Sequence, residues 1–121
     1  MRLFALRGAI SVDRNEAPEI HEATTTLMRE IMQRNELAPA DVVSCIFTAT
    51  DDLDADFPAA AARALGFESV PLLCAREITV PDSMPRVIRV LIHYYAEEGH
   101  RASHVYLREA GVLRSDLQAA Q

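Results

Sequence analysis

The stretch DVVSCIFTATDDLDADFPAAAAR, residues 41–63, sets a strand, a loop and a helix end to end. Val42 to Thr48 is a run of β-branched, aromatic and small apolar residues of strand length, which predicts a buried strand. Thr50 to Asp56 then interrupts it with an acidic loop. Phe57-Pro58 opens a short Ala-rich helix, AAAARAL, with proline in the first turn and Gly66 at the usual C-terminal stop. Val70 to Ile78 follows as a second buried strand, broken near its end by Arg76 and Glu77.

On the N-terminal side, Leu3 to Val12 is short and apolar and carries Arg7 and Gly8, which suits a strand. From Ala17 to Asn35, Ile20, Thr24, Leu27, Met28 and Ile31 recur at three- and four-residue spacing, predicting an amphipathic helix opened by Pro18. Pro39 to Asp41 reads as a turn or the start of a short helix. On the C-terminal side, Pro81 to Pro85 is a turn, and RVIRVLIHYYAE (86–97) favours strand over helix through its β-branched and aromatic residues. EEGHRASH (97–104) is a loop; His104 to Leu107 starts a last strand, which GVLR (111–114) continues towards a polar tail, flexible from about residue 115.

No repeat or linker divides residues 1–121, so a single domain is expected: an α+β fold with a mixed sheet, one long helix and one short one. A single long helix covers only one face of such a sheet. The other face needs a partner, which points to a homo-oligomer.

A chain of 121 residues buries roughly two-thirds of the surface its unfolded form exposes, enough for a core without disulfides or a structural metal. Its positive charges are twelve arginines, with no lysine. Genome base composition explains that bias on its own, yet a guanidinium also offers a planar fork of donors suited to small carboxylates. The net charge of −6 argues against a nucleic-acid partner, which needs a broad basic face. No apolar stretch approaches the ~18 residues that span a bilayer, so no membrane association is expected. Cys45 and Cys74 lie in apolar runs without metal-ligand spacing and read as two buried free thiols. With no signal-peptide pattern at the N-terminus, a cytoplasmic location is expected.

There is no GxSxG, no HExxH, no phosphate-binding glycine loop and no Cys-His signature. His21, His93, His100 and His104 are scattered and read as structural or surface residues. What remains is a set of arginines within apolar segments: Arg7 in FALRGAI, Arg63 in AAAARAL and Arg89 in VIRVLI, together with Glu77 in CAREITV. Taken singly, each reads as an exposed charge on a half-buried element. Taken together, they describe a site cationic at several points and anionic at one.

The blocks LRGAISVDRN (6–15), DVVSCIFTATDDLDADFPAAAAR (41–63), VPLLCAREI (70–78), IRVLIHY (88–94) and HVYLREAGVLRSDL (104–117) resemble, in order and over nearly the whole chain, the AroH class of monofunctional chorismate mutases. That resemblance implies a homotrimer whose mixed sheets pack into a pseudo-barrel, with active sites between neighbouring subunits. It also implies an enzyme without a cofactor that rearranges chorismate to prephenate, a step of phenylalanine and tyrosine biosynthesis. The family's catalytic residues fall on Arg7, Glu77 and Arg89. Its substrate-binding positions fall on Tyr106, Phe57, Arg63, Arg114 and Cys74, with Leu73, Ala75 and Arg76 beside the cysteine. Two positions depart from the pattern: Ala60 stands where a lysine is frequent, and Leu73 where a threonine is. Two other readings stand beside this one: an imine deaminase on a similar trimeric barrel, and a non-catalytic module that senses a small carboxylate.

Overall fold

The computed structural model describes residues 1–113. The elements run β1 (Arg2–Ser11), α1 (Ala17–Asn35), a 3₁₀ turn (Pro39–Asp41), β2 (Val42–Ala49), α2 (Pro58–Ala62), β3 (Leu72–Arg76), β4 (Val87–Ala96) and β5 (Val105–Leu107). Among the described residues, five strands form one mixed sheet in the order β3-β2-β4-β1-β5. β4 pairs antiparallel with β1 and β2, while the edge strands β3 and β5 run parallel to β2 and β1. The expected α+β architecture with a mixed sheet is therefore present.

The period of two along each strand sorts its side chains onto two faces. One face is closed by α1, whose Ile20, Ala23, Leu27, Met28 and Ile31 are buried against Leu6, Ile10, Phe47, Ile92 and Tyr94. Gly8 makes this approach possible. A Cβ there would stand 2.8 Å from Ile31 Cδ1 and 3.2 Å from the Val105 carbonyl oxygen, so the helix could not sit this close over any larger residue. At the helix C-terminus the Asn35 amide donates to the Ile31 and Ser103 carbonyls and accepts from the Ser103 N–H. These bonds tie the 97–104 loop to α1 and deliver His104 beside β1, where its Nδ1 accepts the Arg7 N–H at 3.0 Å.

Among the described residues no helix covers the opposite face. Cross-strand pairing lines up Leu73, Ile46, Leu91 and Arg7 in one row and Ala75, Thr48, Arg89, Ala9 and Tyr106 in the next. Leu73 is 61% exposed, Leu3 49% and Tyr95 48%.

Four expectations are corrected. The strand predicted over Val70 to Ile78 is only Leu72–Arg76, and it is an edge strand with Leu73 and Ala75 exposed, because among the described residues no strand lies beyond it. Cys74 is accordingly half-buried, and only Cys45 is a buried thiol. The Ala-rich helix is α-helical only to Ala62; Arg63–Phe67 forms a wider π turn, closed by Gly66 at φ 103°. The last strand does not continue towards GVLR: it stops at Leu107, Arg108 takes φ 57°, and the chain enters a 3₁₀ turn over Arg108–Ala110. The tail expected to be flexible lies outside the described residues.

Candidate active site

Arg7 and Arg89 reach the uncovered face from adjacent strands, β1 and β4, one cross-strand row apart. With Tyr106 of β5 and Ile46, Thr48 and Leu91 they line a cavity of about 280 Å³. That is close to the ~300 Å³ at which small-molecule pockets begin. Its wall is apolar apart from two guanidiniums, the Tyr106 phenol and the Thr48 hydroxyl. Thr48 Oγ1 is buried and has no hydrogen-bond partner among the described residues.

Glu77 follows β3, and its N–H donates to the Ala49 carbonyl oxygen at 2.9 Å, which carries the strand pairing one residue past Arg76. Its carboxylate forms an ion pair with Arg89 through Nε. Since a guanidinium has five N–H donors, the Nη groups of Arg89 remain available for a ligand. Glu77 thus sets an anion beside the Arg89 fork. The ends of the strands that carry these residues are knotted together: Asp52 accepts the Arg86 N–H at 3.0 and 3.1 Å and the Thr50 hydroxyl, and Thr50 Oγ1 accepts the Val87 N–H at 3.0 Å.

The other sequence-predicted residues collect elsewhere. Phe57, Cys74, Ala75 and Arg76 line a separate cleft of about 410 Å³ beside the acidic loop, with Asp54 and Asp56 on its rim. Phe57 is 67% exposed. Asn15 shapes this cleft by donating to Asp54 Oδ1 at 2.6 Å and accepting the Asp54 and Ala55 N–H groups. Arg63 is exposed at the start of the π turn and Leu73 on the outer face of β3; neither lines either cavity. Arg114 lies outside the described residues. The chain therefore brings Arg7, Arg89, Glu77 and Tyr106 together and leaves Phe57, Cys74, Ala75 and Arg76 as a second group.

His100 donates or accepts at the buried Tyr94 hydroxyl, 2.8 Å away, and packs edge-on against Phe4, while His104 serves the Arg7 backbone. Both act as structural residues. Thr48, Ile46 and Leu91 were not singled out by the sequence reading. They are wall residues only because of cross-strand register, and no local pattern signals register.

Residues 3–117 match the family model described as chorismate mutase type I. The chain belongs to that family. It is 47% identical over 118 residues to the chorismate mutase AroH of Thermus thermophilus, covering 96% of this chain and 97% of the relative. Its identity to the chorismate mutase AroH of Bacillus subtilis (strain 168) is 38% over 119 residues, covering 97% and 94%. A solved chorismate mutase from Clostridium thermocellum superposes with a TM-score of 0.86 at 44% identity, covering 90% of this chain and 98% of that one. This chorismate mutase is accordingly an isomerase acting on chorismate to give prephenate. No helix among the described residues is long and apolar enough to cross a membrane.

Proposed function

We propose that the rearrangement takes place over the Arg7, Arg89 and Tyr106 cavity, with Arg89 as the main catalytic group and a neighbouring copy of the chain completing the pocket. The reaction is a concerted shift in which one carbon-oxygen bond breaks as a carbon-carbon bond forms. It moves no proton and forms no covalent bond to the protein, so it asks for positioning and electrostatics alone. As the ether bond breaks, its oxygen gains negative character. A guanidinium aimed there binds the transition state more tightly than the substrate, and that difference is the catalysis. The observation that carries this reading is the Arg89 guanidinium, ion-paired with Glu77, on a mostly apolar cavity wall that it shares with Arg7 and Tyr106.

Glu77 has a second role, accepting the ring hydroxyl as the ring fragment becomes cationic. Arg7 and Tyr106 hold the enolpyruvyl carboxylate. Cys74, flanked by Leu73, Ala75 and Arg76, and Phe57 close the far side, and Arg63 stands at the entrance.

In this reading that far side is supplied by a second copy. Cys74 is opposite Phe47 on the helix-covered face, whereas Arg7 and Arg89 occupy the bare one. β3 and β1 are three strand spacings apart, about 14 Å. A homotrimer whose bare sheet faces pack on each other brings the two half-sites together and covers Leu3, Leu73 and Tyr95. It would work in the cytoplasm.

Two measurements test this. Replacing Arg89 by citrulline, isosteric but uncharged, should lower kcat on the order of 10² to 10³, as loss of a preorganised donor does elsewhere; undiminished turnover of chorismate would refute the mechanism. Mixing an Arg89→Ala chain with a Cys74→Phe chain after unfolding should regain about one quarter of wild-type activity, because random assembly pairs an intact half-site with an intact half-site at that frequency. A mixture no more active than its parents would place the whole site within one chain.

A further inference from the structure

Tyr106 sits on the most weakly supported element of the site. β5 is three residues long, at the sheet edge, and Arg108 just beyond it adopts φ 57°, a left-handed conformation that residues other than glycine rarely take. Such a turn persists only where its surroundings hold it. Here the holding group is the Arg108 side chain itself. Nη2 donates to both carboxylate oxygens of Glu22, on α1, at 2.9 Å each, and Nη1 points to the Ser11 carbonyl oxygen of β1 at 3.4 Å. Next to it the Glu109 N–H donates to Ser11 Oγ at 3.1 Å. The Glu22 carboxyl is held below the usual carboxylate range by its hydrogen bond from Arg108.

The turn fastened in this way is the floor under Tyr106. Ala110, at the end of the 3₁₀ segment, is buried with Ala9 and Val87, and Tyr106 packs against this small cluster together with Met84 and Leu113. A shift of the turn therefore shifts the phenol relative to Arg7 and Arg89. We propose that Arg108 and Glu22 are positioning residues for the rearrangement: their ion pair, on the surface and away from the reacting atoms, sets where Tyr106 meets the substrate carboxylate. This rests on the reading of Tyr106 given above. An exposed ion pair contributes little to global stability, so its effect should appear in substrate handling instead of the melting temperature.

The test uses the full chain and chorismate, with Glu22→Gln and Arg108→Gly made in both the wild-type and the Tyr106→Phe backgrounds. Glycine at position 108 permits the left-handed turn and removes only the clasp. In the wild-type background each variant should lose about 10-fold in kcat/KM, within the range seen for residues acting through a network. The loss should fall mainly on KM, because a carboxylate contact is made in substrate and transition state alike. In the Tyr106→Phe background the same changes should lose less than about 2-fold more, since the group they position is already gone. Equal losses in both backgrounds, or a melting temperature that falls in step with activity, would reduce the clasp to a structural role and overturn the proposal. So would unchanged kinetics in the wild-type background. If the wild-type chain failed to turn over chorismate at all, the reading of the site would fall instead, so the two failures are distinguishable.

Discussion

On β4, Ile88, Val90, Ile92 and Tyr94 alternate with Arg89, Leu91, His93 and Tyr95. The first set is buried beneath α1, with no member above 3% exposure, while every member of the second set is half-buried or exposed. One strand thus contributes to two different problems. On the helix-covered face the side chains were selected for volume, since an interior at native density tolerates neither gap nor overlap. On the other face they carry charge, hydroxyl and apolar surface that α1 does not cover.

The contrast can be broken by exchanging sizes on adjacent residues. Ile92→Ala deletes a 1%-exposed side chain from the covered face and should destabilise the protein by about 2–5 kcal/mol, read by urea unfolding, with kcat per folded site little changed. Leu91→Ala, one residue along, removes part of the cavity wall and should do the reverse: lower kcat/KM and weaken assembly in sedimentation, at little cost to each chain's fold. If both variants behaved alike, the two faces would not be separable.

A sharper version uses Gly8, which lies on the covered face between Arg7 and Ala9. The Cβ of Gly8→Ala would meet Ile31 Cδ1 at 2.8 Å and a backbone carbonyl at 3.2 Å, and only the first of these can move aside. Overpacking of this kind costs about 1–3 kcal/mol. Because the displacement is passed along β1, kcat/KM should fall together with stability. A stable but inactive variant would show that Arg7 tolerates less movement than the core does.

Which features could be read from the sequence follows from the range of the interactions behind them. α1 was legible to the residue, Ala17 to Asn35, because a 19-residue amphipathic period is local information. β1, β2 and β4 were legible because each is an apolar run of strand length. β3 and the end of β5 were misread in the same direction. Edge position and the Arg108 turn are decided by which strand is absent beyond β3 and by Glu22, 86 residues away, and neither leaves a trace in the local pattern. The candidate site divides likewise. Arg7, Arg63, Arg89 and Glu77 stood out as charges in apolar runs, whereas Tyr106, Phe57 and Cys74 came only through family resemblance. That Cys74 and Arg7 lie on opposite faces of the sheet was invisible until the register was known.

The two thiols give the smallest contrast, and it is one that pH can resolve. Cys45 on central β2 is 1% exposed, and burial pushes its thiol up from 9.0 to about 12. Cys74 on the edge strand is half-buried beside the Phe57 cleft. A thiol reagent at neutral pH should therefore modify one cysteine per native chain, Cys74, with Cys45 reacting only on unfolding, because the thiolate is the nucleophile. For Cys45 the folded pKa lies above the unfolded one. Its contribution to stability is complete below pH 9, where both states hold the proton, and declines as pH rises from 9 towards 12, where the unfolded chain releases the proton first. The buried Tyr94 hydroxyl, also raised by burial, adds a loss of the same sign at alkaline pH. Cys45→Ala should flatten the fall in melting temperature above pH 9 without abolishing it. Equal slopes in the wild-type and Cys45→Ala proteins would mean that alkaline unfolding is governed elsewhere, and that burial on the covered face matters through packing alone.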